Sequence, residues 1–248
     1  MIECFLFNQD QNVGIYQPAS DHSSNKLLVI CPPLFDDYLR CYKALSDLSA
    51  GAADKGVHVL RFDYYGTGDS AGELDQASIE RWLNDIASAI EEGVQITGAT
   101  EVYILGVRFS ATLAAQVADH RINKYIFWDP FDSGKSYLKW IDRVNSQLKV
   151  DHRRVAYEAG EPLENIPYEL FKLNVGLTSE FDEINFNPDK CEQIAPCRII
   201  TTSNKVFQSG KYHQCLYANF EYAWPTYGDG IIYAKPVLET VLEEVVRS

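Results

Sequence analysis

The chain alternates short apolar runs with longer stretches in which apolar residues recur every three or four positions, a pattern of strands feeding helices. Glu3–Phe7 and Val13–Tyr16 flank the turn-rich NQDQN and predict an antiparallel hairpin at a sheet edge. KLLVIC, 26–31, predicts a fully buried strand stopped by Pro32 and Pro33. From Tyr38 to Lys55 the residues Leu39, Tyr42, Leu45, Leu48 and Ala52 recur at helical spacing, and VHVLRF, 57–62, is the next strand. Strand, helix, strand in this order implies a right-handed crossover and a parallel sheet. A helix beginning near Ser78 sets Ile79, Trp82, Leu83, Ile86 and Ile90 on one face. Glu101–Leu105 is the central strand, an alanine-rich helix runs from Phe109 to about Ala118, and KYIFW, 124–128, is another buried strand. Between Gly134 and about Asn187 helical stretches and charged runs take over. CRIITT, 197–202, and YANFEY, 217–222, resume the strands. Pro236 opens a closing helix with Val237, Leu238, Val241, Leu242 and Val245 on one face. The expected class is α/β, with a mostly parallel central sheet, helices on both faces and a small helical insertion at 134–187.

Composition narrows the function. With 248 residues, 46% of them apolar, the chain can bury a large core and is expected to form a single domain, 1–248. A net charge of −13, from 22 basic and 35 acidic residues, repels nucleic acid and anionic membrane surfaces, and no basic patch offsets it. No apolar stretch approaches the ~18 residues of a membrane span, and MIECFLFNQD lacks a basic leader, so a cytoplasmic protein is expected. The six cysteines form no C-x-x-C pair and no histidine stands at zinc spacing, which predicts reduced thiols and no metal site.

The chemistry centres on VYILGVRFSATLAA, 102–115, a buried strand passing through a glycine turn into a helix. In the G-x-S-x-G form of such a turn a strained serine stands clear of the sheet as a nucleophile. Here the run is Gly106-Val107-Arg108-Phe109-Ser110, and arginine stays protonated and cannot attack. Ser110 falls at the second small position and reads as a packing residue. An acid is expected after the penultimate strand, where TTSNK offers only Asn204, a degraded acid position. Asp129 is a possible acid at the end of an earlier strand, although an aspartate before proline is also an ordinary turn former. The base is expected in AWPTYGDG, 223–230, which contains no histidine; His22, His58, His120, His152 and His213 lie elsewhere. The N–H groups of Phe109 and of Leu34, the first residue able to donate after Pro32 and Pro33, remain as oxyanion donors. Arg108 offers a planar cation for a carboxylate or phosphate, or an internal partner for Asp36, Asp37 or Asp129, and both alternatives stand. DYYGTGDSAGE, 63–73, is glycine-rich, but a dinucleotide fingerprint needs a helix opening on the glycines, so no cofactor is expected.

PPLFDDYLR at 32–40, LRFDYYGTGDSAGE at 60–73, LGVRFSATLAA at 105–115, FWDPFDSGKSYLKW at 127–140 and GEPLENIPYEL at 160–170 resemble the α/β-hydrolase superfamily. More narrowly, they are similar to the exosortase A system-associated hydrolases, a group that tends to carry arginine at the elbow. The resemblance implies an α/β-hydrolase fold with 134–187 as its cap. Three functions compete. One is a protein without serine-hydrolase turnover that binds a small anionic or acyl-bearing ligand at Arg108, Phe109 and Leu34. The second is a hydrolase or acyltransferase acting on an ester or thioester through Asp129 or a cysteine. The third is an interaction protein with a sealed pocket, its unidentified protein partner docking on the cap through Trp140, Tyr168, Phe171 or Phe181.

Overall fold

The computed structural model describes residues 2–9, 11–159, 173, 175–220, 224, 232 and 234–246, with backbone alone for 148–159 and 175. The apolar runs form the eight strands of one sheet: β1 (Glu3–Phe7), β2 (Asn12–Gln17), β3 (Lys26–Cys31), β4 (His58–Phe62), β5 (Glu101–Val107), β6 (Ile122–Trp128), β7 (Cys197–Thr201) and β8 (Cys215–Tyr217). Their order is β1-β2-β4-β3-β5-β6-β7-β8. The β1–β2 hairpin joins antiparallel to β4, and all later pairings are parallel, with Cys31 opposite Gly106 and Val107 opposite Trp128. The connections are helical: α1 (Asp36–Asp54), α2 (Ile79–Thr97), α3 (Phe109–Ala114), α4 (Gly134–Ala159), α5 (Val175–Glu183), α6 (Pro188–Glu192), α7 (Asn204–Gln208) and α8 (Lys235–Val246). No described helix is long and apolar enough to cross a membrane.

Strand alternation divides the core into two. Leu27, Val29 and Cys31 of β3 and Ile104 of β5 pack with α2, α3 and the helices after β6. Leu28 and Ile30, with Tyr103, Leu105 and Val107, pack with α1 and α8 on the other face. Helix α2 has clear end signals: the Ser78 side chain accepts from the Arg81 N–H at 3.1 Å, and Gly98 closes it in the left-handed conformation. Its face is as expected, with Ile79, Trp82, Ile86 and Ile90 buried and Leu83 partly so.

Three boundaries or faces differ from expectation. On α1, Leu39 and Tyr42 are 63% and 49% exposed, while Asp37, Arg40 and Cys41 are buried. The helix is turned toward polar residues because each charge has a partner: Asp36 holds Arg40 at 2.6 Å, and Asp37 serves Arg108. Helix α3 stops at Ala114, short of Ala118. The last strand begins at Cys215 and ends at Tyr217, so it precedes most of YANFEY, whose residues 221–222 lie outside the described residues. The GEPLENIPYEL run, with Tyr168, also lies outside them, as does Phe171.

The glycine-rich loop folds on itself. Asp63 takes the Asp69 N–H at 3.0 Å and the Tyr38 hydroxyl at 3.0 Å, and a Cβ on Gly68 would lie 2.2 Å from the Asp63 carboxylate.

Candidate functional site

The carboxyl ends of β5, β6 and β7 converge on one cavity of about 380 Å³, in the place where α/β sheets keep their ligands. Local backbone geometry marks the same region. Among the described residues, five that are not glycine have positive φ; Asn8 and Gln9 turn the hairpin, and Phe35, Arg108 and Asp129 each follow a parallel strand. Such conformations cost roughly 1–3 kcal/mol each and cluster at functional sites. Arg108, at φ 57 and ψ −125, forms the sharp turn between β5 and α3. Close packing demands that turn: a Cβ on Gly106 would lie 2.5 Å from the Ala111 Cα. Ser110 is fully buried and its hydroxyl donates to the Pro32 carbonyl at 2.6 Å, tying the elbow to the end of β3.

The Arg108 side chain is held from two directions. Its Nε donates to Oδ2 of Asp37 at 3.1 Å, with the two side chains 10% and 2% exposed. Its guanidinium carbon lies 4.3 Å from the ring centre of Phe131, 4.5 Å from that of Trp224 and 5.1 Å from that of Trp140. Burial pushes the Asp37 carboxyl upward, and the Arg108 charge opposes the rise. Cys41, one turn along α1, is buried and its thiol is pushed well up by burial and then by the Asp37 charge, which keeps it protonated.

Asp129 is buried, and both its oxygens are occupied. Oδ1 accepts from the Thr201 hydroxyl at 3.0 Å and the Thr202 N–H at 2.8 Å. Oδ2 accepts from the Thr202 hydroxyl at 2.6 Å and from Nε1 of Trp224 at 2.8 Å. Trp224 lies in the stretch between β8 and α8, so a ring N–H from beyond the last strand meets a carboxylate, and the face of that ring meets Arg108. Histidine is the base expected in that stretch, and an indole offers a ring N–H in its place.

Of the other candidate residues, Asn204 is exposed in the first turn of α7, capped by the Ser203 hydroxyl. Leu34 and Phe109 are not among the residues that line the cavity beside Arg108. Leu34 is buried beside a void of about 10 Å³ and its carbonyl accepts from the Tyr137 hydroxyl at 3.3 Å. Phe109 packs on both Tyr137 and Phe181, at 4.7 and 4.6 Å between ring centres, and those two rings are themselves 5.8 Å apart. Trp140 lines the cavity, whereas Phe181 is core. His22, His120 and His213 are exposed, and His58 is buried at the start of β4, its Nδ1 accepting the Ala19 N–H at 3.1 Å. The side chain of His152 and most of AWPTYGDG lie outside the described residues.

No family model matches the chain, and no curated protein matches its sequence. Solved structures do. Est1E from Butyrivibrio proteoclasticus, in a complex with ferulic acid, aligns at 18% identity over 98% of this chain and 100% of its own, with a TM-score of 0.65. DcsB, in complex with a substrate analogue, aligns at 13% identity over 100% and 99%, with a TM-score of 0.64. The α/β hydrolase GrgF from Penicillium sp. sh18 aligns at 14% identity over 100% and 99%, with a TM-score of 0.63. The sheet order, the antiparallel first hairpin, the elbow at Arg108 and these full-length superpositions together define the α/β-hydrolase fold.

Proposed function

We propose that this α/β-hydrolase-fold protein binds a small anionic or acyl-bearing ligand in the cavity beside Arg108 and does not turn it over as a serine hydrolase. The observation that carries this is the placement of Arg108. A guanidinium occupies the strained elbow, is fixed by Asp37 and three aromatic rings, and lines a cavity of about 380 Å³. Its recorded hydrogen bond among the described residues uses Nε, and the guanidinium has further N–H groups to offer a ligand acceptor. Asp129, with four donors on its carboxylate, and Cys41, buried and protonated, are poorly suited to attack an ester. The internal Asp37 pair and the ligand role of Arg108 are compatible in this arrangement. The chain is proposed to be one domain with 134–187 as its cap, and to belong with the exosortase A system-associated hydrolases on the motifs quoted above.

Thermal-shift measurements against carboxylates, phosphates and acyl thioesters, in parallel with turnover of nitrophenyl esters, test the proposal. The expected result is stabilisation by at least one acyl or carboxylate class that Arg108→Ala abolishes, with ester turnover at background. A flat response that Arg108→Ala leaves unchanged refutes ligand binding, and ester turnover lost in Asp129→Ala refutes the absence of chemistry.

A further inference from the structure

We propose that the ligand of this cavity is electrically neutral, an acyl compound with a flat apolar body whose carbonyl oxygen accepts from Arg108, and not a carboxylate or phosphate. The inference rests on the reading of the Arg108 cavity as a ligand site and narrows its chemistry. A single arginine at the floor of a pocket ordinarily suggests an anion, but this arginine already has one. Asp37 sits on its Nε at 3.1 Å and is itself buried, so the pair presents no net charge to the cavity. At the rim Lys211 is paired with Asp132, which also takes the Tyr212 hydroxyl at 2.7 Å. Asp129 contributes a third carboxylate, held by neutral donors alone among the described residues. Among the described residues two cations therefore stand against three carboxylates in and behind the wall, the Asp36–Arg40 pair beside Asp37 adds no net charge, and a further anion would be desolvated into a slightly negative site within a chain of net charge −13.

A neutral carbonyl escapes that penalty. It accepts a charge-assisted hydrogen bond from the guanidinium without adding charge, and its desolvation costs far less than that of a carboxylate. The rest of the wall suits a flat apolar body: Phe131, Trp140 and Trp224 surround the guanidinium, and Pro130 and Val206 extend the apolar lining. A volume of about 380 Å³ falls within the roughly 300–1,000 Å³ typical of small-molecule sites, ample for the one-ring probes below.

The test compares three near-isosteric probes on the whole protein by ligand-observed NMR: benzamide, benzoate and phenyl phosphate. Benzamide is expected to bind at least about tenfold more tightly than either anion. In Asp37→Asn, which removes the compensating charge, benzoate is expected to overtake benzamide. Benzoate or phenyl phosphate binding more tightly than benzamide to the unsubstituted protein overturns the proposal, and this ranking decides it even if Asp37→Asn does not fold. An unchanged order in a folded Asp37→Asn variant also counts against it. Failure of all three probes to bind, or benzamide binding that survives Arg108→Ala, instead removes the Arg108 ligand site on which the inference rests.

Discussion

The buried Arg108–Asp37 pair gives a stability prediction whose size follows from its surroundings. Arg108→Met keeps most of the side-chain volume and packs a thioether against Phe131, Trp140 and Trp224, so part of the ring contact survives. What it does not keep is the partner of Asp37, whose side chain is 2% exposed. Stranding a buried charge costs about 3–5 kcal/mol. Asp37→Asn alone leaves Arg108 buried among rings with a weaker acceptor and is expected to cost about 2–3 kcal/mol. The double variant strands neither charge, so it should be more stable than the sum of the single losses by about 2–3 kcal/mol. Urea unfolding followed by circular dichroism near neutral pH measures all four corners of the cycle. Additivity within about 0.5 kcal/mol would refute the claim that the two charges stabilise each other in the folded protein.

The same cycle has a pH signature. Burial already raises the Asp37 carboxyl, and Arg108 opposes the rise, so removing the arginine raises it further. A folded state whose carboxyl has a raised pKa holds a proton that the unfolded chain releases. Its stability is therefore fully present below the ordinary carboxylate pKa and is lost as pH climbs through the raised folded value. The penalty of Arg108→Met should shrink as pH falls from about 7 to about 5. A penalty independent of pH over that window would show that Asp37 is not left charged and buried.

Three further variants separate packing from chemistry. Trp224→Phe removes the indole N–H from the Asp129 carboxylate while keeping a ring, and should lower unfolding stability by about 1.5–3 kcal/mol; a change below about 0.5 kcal/mol would mean the 2.8 Å bond does not matter. Ser110→Ala deletes the bond to the Pro32 carbonyl and should cost about 1 kcal/mol while leaving any ester background rate unchanged, whereas a fall in that rate would give Ser110 a chemical role. Gly106→Ala forces a Cβ to 2.5 Å from the Ala111 backbone and should lower the urea midpoint by the equivalent of about 1–3 kcal/mol or more, with a wild-type midpoint refuting the close approach.

Periodicity disclosed most of the scaffold because strands and helices here bury apolar residues at their own repeat. Lys26–Cys31 and the Ile79–Trp82–Ile86–Ile90 face are direct cases. On α1 Leu45, Leu48 and Ala52 are buried as their spacing predicts, and of that set only Leu39 and Tyr42 in the first turns are exposed. There the buried face carries Asp37 and Arg40; Arg40 pairs locally with Asp36, but the partner of Asp37 is Arg108, 71 positions away, and a partner that distant leaves no periodic trace. The elbow was legible from Gly106, Arg108 and Ser110, since small residues at fixed spacing are what close packing of strand on helix demands. The wall of the cavity was not. Trp224 reaches Asp129 across 95 positions of sequence, and the two threonines that complete the carboxylate's hydrogen bonding stand at the end of β7 and just after it, beside β6 only because the sheet pairs the two strands.

The line from Asp129 through the Trp224 ring to Arg108 also measures a distance in sequence space. A carboxylate already accepts a ring N–H, and that ring already faces the residue on the elbow. Read as positions, this is an acid, a ring and a turn residue in sequence, with the turn conformation maintained although no nucleophile stands on it. At these three positions two side chains, Arg108→Ser and Trp224→His, separate the arrangement from an acid–imidazole–hydroxyl relay. Losing the arginine, alone or together with the change at Trp224, would strand the buried Asp37, so such a relay would need a third change there. Asp37 therefore ties the elbow to arginine, and a change of the ring at position 224 does not release it.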